Sequence, residues 1–170
     1  MIPITLDPSR LRLAVAGHGP AADRRRARLR NAGASLIPLP VPLPADPVAW
    51  PELDVLWIAD VADAEAARLA AIARARRILV NVEDRPALCD FRNTAELRRG
   101  DLLIAVSTGG ASPGLAGAIR DRIGALFGPE WAGRLDALRA RREAWRALGT
   151  PLPALACLTR QAIAAAGWLA

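Results

Sequence analysis

The chain has 170 residues and a net charge of +6; over half of it is hydrophobic, and its two cysteines, Cys89 and Cys157, lie far apart. That length holds one α/β domain with a small helical appendage, and the apolar content excludes a disordered chain. The cysteine spacing matches no metal or redox motif, and two reduced thiols in a cytoplasmic protein are expected.

All 23 basic residues are arginine, with no lysine and no tyrosine, a pattern of a GC-rich genome more than of selection for basic side chains. The charge still favours an anionic small molecule as ligand. Two Phe and five Trp offer few stacking platforms, and the arginines are scattered, so nucleic acid is not expected as a partner. The amino terminus has no basic stretch ahead of an apolar core, and the apolar tail from Leu152 is interrupted by Arg160 and Gln161. Neither a signal peptide nor a membrane span is expected.

Along the chain, Leu11 to Ala16 is a short apolar run ending at Gly17 and predicts a buried strand. Pro20 to Asn31 follows as a helix with proline at its first turn, stopped by Gly33. Ser35 to Val41 predicts an edge or broken strand, because Pro38 and Pro40 cannot donate to a ladder. Pro42 to Pro51 is a proline-rich loop. Leu53 to Ala59 and Ile78 to Val82 predict further strands, with a helix over Asp63 to Ala75 between them. An irregular connection then leads to a last strand, Leu102 to Val106.

From Ser112 onward the apolar period becomes helical. Leu115, Ala118, Ile119, Ile123, Leu126 and Phe127 form one stripe, with Ser112 as N-cap and Pro113 at the first position. Trp131, Leu135, Leu138, Trp145 and Leu148 form a second, and Leu155, Leu158, Ala162 and Leu169 a third. A small sheet cannot cover three such stripes, so self-association is expected. Alternating strands and helices followed by helices alone predict an α/β fold: a Rossmann-like open parallel sheet, then a helical dimerisation segment.

Gly17-His18-Gly19-Pro20-Ala21-Ala22 closes the first strand and opens the first helix, and fits the G-x-G-x-x-G/A dinucleotide pattern. The first glycine permits the tight turn, the second lets backbone approach a pyrophosphate, and the small last residue lets helix and strand pack closely. The acid that often follows the second strand is missing from Leu36 to Pro42, so these residues do not choose NAD over NADP. His18 is the sole histidine, which excludes a histidine triad or a histidine-rich metal site; no metal ligands are expected.

Asp84 ends a strand, where ligands of open α/β sheets bind, and a carboxylate there can exchange a proton with a substrate. Taken alone, an ordinary turn aspartate is the weightier reading. The loop Ser107-Thr108-Gly109-Gly110-Ala111-Ser112 combines hydroxyls, flexible backbone and a helix start. It reads either as a carboxylate or phosphate cradle or as a plain helix cap.

Together these pieces resemble the precorrin-2 dehydrogenase/sirohydrochlorin ferrochelatase family, which includes the amino-terminal domain of sirohaem synthase. The resemblance rests on the opening Met-Ile-Pro-Ile-Thr-Leu-Asp with Gly17-His18-Gly19, on Asn81-Val82-Glu83-Asp84, and above all on the run from Arg98 to Pro113. It implies a Rossmann-like NAD domain in an intertwined homodimer that oxidises precorrin-2, an anionic tetrapyrrole with eight carboxylates, to sirohydrochlorin. In bifunctional members the same site also inserts ferrous iron, which would then be a second substrate. The resemblance makes Asp84 the catalytic acid, gives cofactor contacts to Gly17 through Ala22 and to Val41, and gives substrate contacts to Asn81, Ser107, Thr108, Gly109, Gly110 and Ser112. A serine phosphorylated in some relatives falls at Thr108.

The chain departs from the family in placing His18 within a glycine triplet, Asp60-Val61-Ala62-Asp63 at a Thr-Asp pair, and Thr94 at a frequent proline. Its helical end is shorter than in many relatives, and no methyltransferase domain is expected within these residues. The reading is an NAD-dependent precorrin-2 dehydrogenase, with ferrochelation open, residues 1–112 binding the cofactor and 113–170 forming the dimer. The rival is a non-catalytic tetrapyrrole or nucleotide sensor.

Overall fold

The computed structural model describes residues 1–169. They form two compact units, one spanning Met1–Asn93 and the other beginning at Thr94.

In the first unit, β1 (Leu13–Ala16), β2 (Val55–Ile58) and β3 (Leu79–Val82) pair in parallel in the order β1-β2-β3. Helices α1 (Pro20–Asn31) and α2 (Asp63–Ala75) provide the connections and keep the bounds expected from sequence. Acidic residues open both helices (Asp23; Asp63 and Glu65) and arginines close them, which complements the helix dipole. The strands alternate strictly. Ala14, Ala16, Leu56, Ile58, Val80 and Val82 pack with Ala66, Leu69, Ala70 and Ala73 of α2. Leu13, Val15, Val55 and Trp57 form the opposite cluster with Ala22 and Leu29 of α1. Coverage of both faces explains why these strands read as continuous apolar runs.

The expected strand over Ser35 to Val41 shrinks to a single parallel bridge between Leu13 and Leu36, closed by Ile37 N donating to Leu13 O at 2.8 Å. Pro38 and Pro40 have no N–H to continue it. The chain therefore leaves β1 to one side at Leu36 and returns to its other side as β2, a topological switch point. At the amino ends of β1 and β2, the Arg12 guanidinium clasps Asp54 through both carboxylate oxygens, at 2.7 and 3.0 Å.

The outer edge of β3 is closed by its own chain. Val80 N donates to Asp90 Oδ2 at 2.9 Å and Val80 O accepts from Asp90 N at 2.8 Å. Val82 N donates to Cys89 Sγ at 3.2 Å, and that thiol lies equally close to Val82 O.

The second unit begins with an antiparallel hairpin, β4 (Ala95–Arg99) and β5 (Leu102–Val106), turned at Gly100-Asp101 with Gly100 at φ 57°. This corrects two expectations: β4 was read as irregular chain, and β5 does not extend the parallel sheet. Glu96, Arg98 and Arg99 deny β4 an apolar run, so its pairing comes from β5 and not from its own pattern. Helices α3 (Pro113–Leu126), α4 (Trp131–Ala147) and α5 (Leu152–Ala165) complete the unit. Leu169, assigned to the third stripe, lies past the end of α5. Among the described residues no helix is long and apolar enough to cross a membrane.

Candidate functional site

The turn from β1 to α1 is built around two glycines for different reasons. Gly17 has φ 102°, and a Cβ there would stand 1.7 Å from the Ala59 carbonyl oxygen, so only glycine fits against the end of β2. Gly19 has φ 147° and is the N-cap of α1; its missing side chain leaves the first amides of the helix without a local acceptor. Pro20, Ala21 and Ala22 make the first helical turn, and Ala22 is fully buried against the sheet. Arg26 braces the turn from within, donating to Gly17 O at 2.5 Å and to Asp23 Oδ1 at 2.9 Å.

Beyond the carboxyl ends of β1 and β2 lies a crevice of about 660 Å³. Gly17 and His18 border it on one side, Leu36 through Leu43 on another, with Asp60 and Val61 at the end of β2. Arg26 and Arg30 bring positive charge to it. The structure thus gathers Gly17, His18 and Val41 of the expected cofactor residues into one cavity at the switch point.

Asp60 was not anticipated. Its Oδ2 accepts from the Ala22 amide at 2.8 Å, and the same carboxylate lies 2.7 to 2.8 Å from where a Gly19 Cβ would stand. It caps α1 from outside the helix, standing against the open face of the second glycine. Asp60 itself has φ 54°, a left-handed conformation that aspartate tolerates better than most residues.

Asp84 follows β3 at φ 57°, exposed, with its side chain free of hydrogen-bond partners among the described residues. Its neighbours are tied down on both sides. Glu83 pairs with the largely buried Arg25 of α1 at 3.1 Å. Arg85 pairs with Asp63 at the start of α2 and donates to Val61 O at 3.2 Å. The turn is clamped between two helices, and Asp84 is the acid it leaves unpaired. Asp84 borders the strand ends but does not line the crevice described above.

Asn81 is the one buried polar residue among the described residues, and its amide is engaged within the fold. Nδ2 donates to Phe91 O at 3.0 Å, and Oδ1 accepts from Asn93 Nδ2 at 2.7 Å. Asn93 Oδ1 in turn accepts from Trp57 Nε1 at 3.1 Å. Asn81 therefore holds the 89–93 loop in place.

In the second unit, the 107–112 loop satisfies its own polar groups. Thr108 Oγ1 donates to Ser112 O at 2.9 Å, Ser107 Oγ accepts from Gly109 N at 3.2 Å, and Ser112 Oγ caps α3 through Leu115 N at 3.2 Å. Gly109 and Gly110 both have positive φ, at 68° and 89°, and both are exposed.

A glycine turn at a helix start, at the switch point of a doubly covered parallel sheet, defines a Rossmann-like α/β protein. A solved structure of "SirC, precorrin-2 dehydrogenase" superposes with a TM-score of 0.71 at 19% identity, covering 96% of this chain and 89% of that one. Residues 44–95 match the family described as "Putative NAD(P)-binding", and residues 99–126 the family "Sirohaem biosynthesis protein central". The siroheme synthase of Thiobacillus denitrificans is 47% identical over 83 residues, 48% of this chain and 17% of that protein. That of Methylobacillus flagellatus is 48% identical over 92 residues (53% and 20%), and that of Escherichia coli 32% over 131 residues (66% and 29%). In these matches the chain is similar to the proteins of sirohaem synthesis, through an NAD(P)-binding part and a sirohaem-biosynthesis central part. It aligns with less than a third of the length of each of these siroheme synthases.

Proposed function

We propose that the chain is an NAD-dependent dehydrogenase that oxidises precorrin-2 to sirohydrochlorin in sirohaem synthesis. The observation that carries this reading is the pairing of a glycine-only turn with an unpartnered aspartate at the carboxyl end of the same sheet. The cradle suits a dinucleotide, because Gly17 and Gly19 both adopt positive φ angles that disfavour other residues, and Gly17 lines the crevice. Gly17, His18, Gly19 and the first turn through Pro20, Ala21 and Ala22 would hold the pyrophosphate side, and Val41 the adenosine side. When bound, the nicotinamide supplies the hydride acceptor.

Asp84 takes the proton released as the macrocycle is oxidised. Its clamped turn fixes the backbone that carries the carboxylate, and pairing of Glu83 with Arg25 removes the nearest competing base. Ser107, Thr108, Gly109, Gly110 and Ser112 meet substrate carboxylates, chiefly through the Ser107 and Ser112 hydroxyls, which accept from Gly109 N and Leu115 N and keep their O–H to donate. Asn81 contributes by placing the 89–93 loop. Insertion of ferrous iron into the product is the further activity of bifunctional relatives, and Asp84 is the acid it would share. The exposed apolar stripes of the helical region support a homodimer, with residues 1–112 as the cofactor part and 113–170 as the association part, in the cytoplasm.

A non-catalytic nucleotide or tetrapyrrole sensor is the second reading, favoured by the position of Asp84 outside the crevice that the glycine turn borders. The two are separated by following NADH absorbance with enzymatically made precorrin-2. An enzyme turns over, and Asp84→Ala lowers the rate by about 100-fold or more, the usual share of a positioned acid or base. Ligand binding without product, or a fully active Asp84→Ala variant, removes this assignment.

A further inference from the structure

We infer that Asp60 sets the affinity of this chain for a dinucleotide by competing with the pyrophosphate for the head of α1. The inference rests on the dinucleotide reading of the crevice. Two features let a glycine turn take a phosphate: the open face of the second glycine and an unpaired amide at the helix start. Here one carboxylate meets both. Asp60 Oδ2 accepts from Ala22 N at 2.8 Å, and Asp60 Oδ2 and Cγ lie 2.7 and 2.8 Å from the position of a Gly19 Cβ. A phosphate oxygen and a carboxylate oxygen cannot occupy that space together.

Charge opposes them as well as volume. Asp60 forms no ion pair among the described residues, and the nearby Arg26 is already engaged with Gly17 O, Val15 O and Asp23. The carboxylate is therefore a negative charge held by the head of α1 and not by a cation, at the place where a second anion must settle. Because Asp60 is exposed, its side chain has room to turn into solvent. The effect is a weaker cofactor affinity and not a closed site.

The test is calorimetric titration of the full chain with NAD+ and with NADP+, for wild type, Asp60→Asn and Asp60→Ala. Asparagine keeps an oxygen for the Ala22 amide and removes the charge, so it leaves the cap of α1 in place. The expected result is about tenfold tighter binding by Asp60→Asn, a modest figure for a charge exposed to solvent. Asp60→Ala binds at least as tightly with a lower melting temperature, having lost the cap. The gap between wild type and Asp60→Asn narrows as salt is raised, which a purely structural role would not produce. Equal or weaker binding by Asp60→Asn, or by Asp60→Ala should the former fold poorly, overturns the inference and leaves the dinucleotide reading intact. Absence of binding by all three chains overturns both.

Discussion

Among the described residues, 1–93 contain 21 of the 24 buried hydrophobic ones, whereas the unit from Thr94 onward contributes Leu97, Ala116 and Leu155. The helices of the second unit instead leave Leu115, Leu126, Leu148 and Leu152 more than half exposed. The difference teaches that similar apolar content serves two ends. Four-residue strands covered on both faces turn it into a self-sufficient core, while amphipathic helices on a short hairpin keep it at the surface. The second unit has the composition of an interface; the first has that of a scaffold.

The comparison is broken most directly by truncating one large side chain in each unit. Leu56, fully buried, should cost about 2–5 kcal/mol on Leu56→Ala, read by urea unfolding. Leu126→Ala should fall within about 0.5 kcal/mol in dilute protein, as surface changes do, and grow with protein concentration if helices associate. Equal costs at low concentration would abolish the distinction. Next in size, Asn81→Ala should cost about 1–3 kcal/mol by breaking a buried amide network, with a shift in Trp57 emission because Asn93 loses its anchor. In the second unit, Ser112→Ala removes the α3 cap and should cost about 1 kcal/mol.

The smallest effect concerns acid stability of the first unit. Hydrogen bonds from the Arg12 side chain and then its backbone amide hold Asp54 down from 3.8 to about 2. A lowered folded value means stability that is complete above the ordinary carboxylate range and lost as pH falls towards 2. Asp54→Asn should therefore be less stable than wild type at pH 7, by under about 1 kcal/mol for a pair so near the surface, and indistinguishable from it near pH 2.

Much of the first unit was legible because its signals are local. Pro20 and Asp63 mark helix starts, the apolar runs mark strands, and Pro38 and Pro40 explain why the Leu36 segment dwindles to one bridge. The glycine turn was legible for the same reason. What escaped depends on partners distant in sequence. β4 carries Glu96, Arg98 and Arg99 and is a strand because β5 pairs with it; the available hint was Gly100-Asp101, a two-residue turn with glycine in its first position. Asp60 caps a helix through Ala22, 38 residues away, where capping patterns look only a few residues along the chain. The clamp on Asp84 likewise joins Glu83 and Arg85 to side chains from two separate helices.

The sealed flank of β3 carries its own consequence. A bare strand at a sheet margin invites a neighbour's backbone, the first step towards runaway stacking. With Val80 and Val82 already answered by Asp90 and Cys89, the sheet cannot be lengthened at that margin by a second molecule. Strand addition at that margin is thereby blocked, and thiol alkylation at Cys89 is the chemical key that would unlock it.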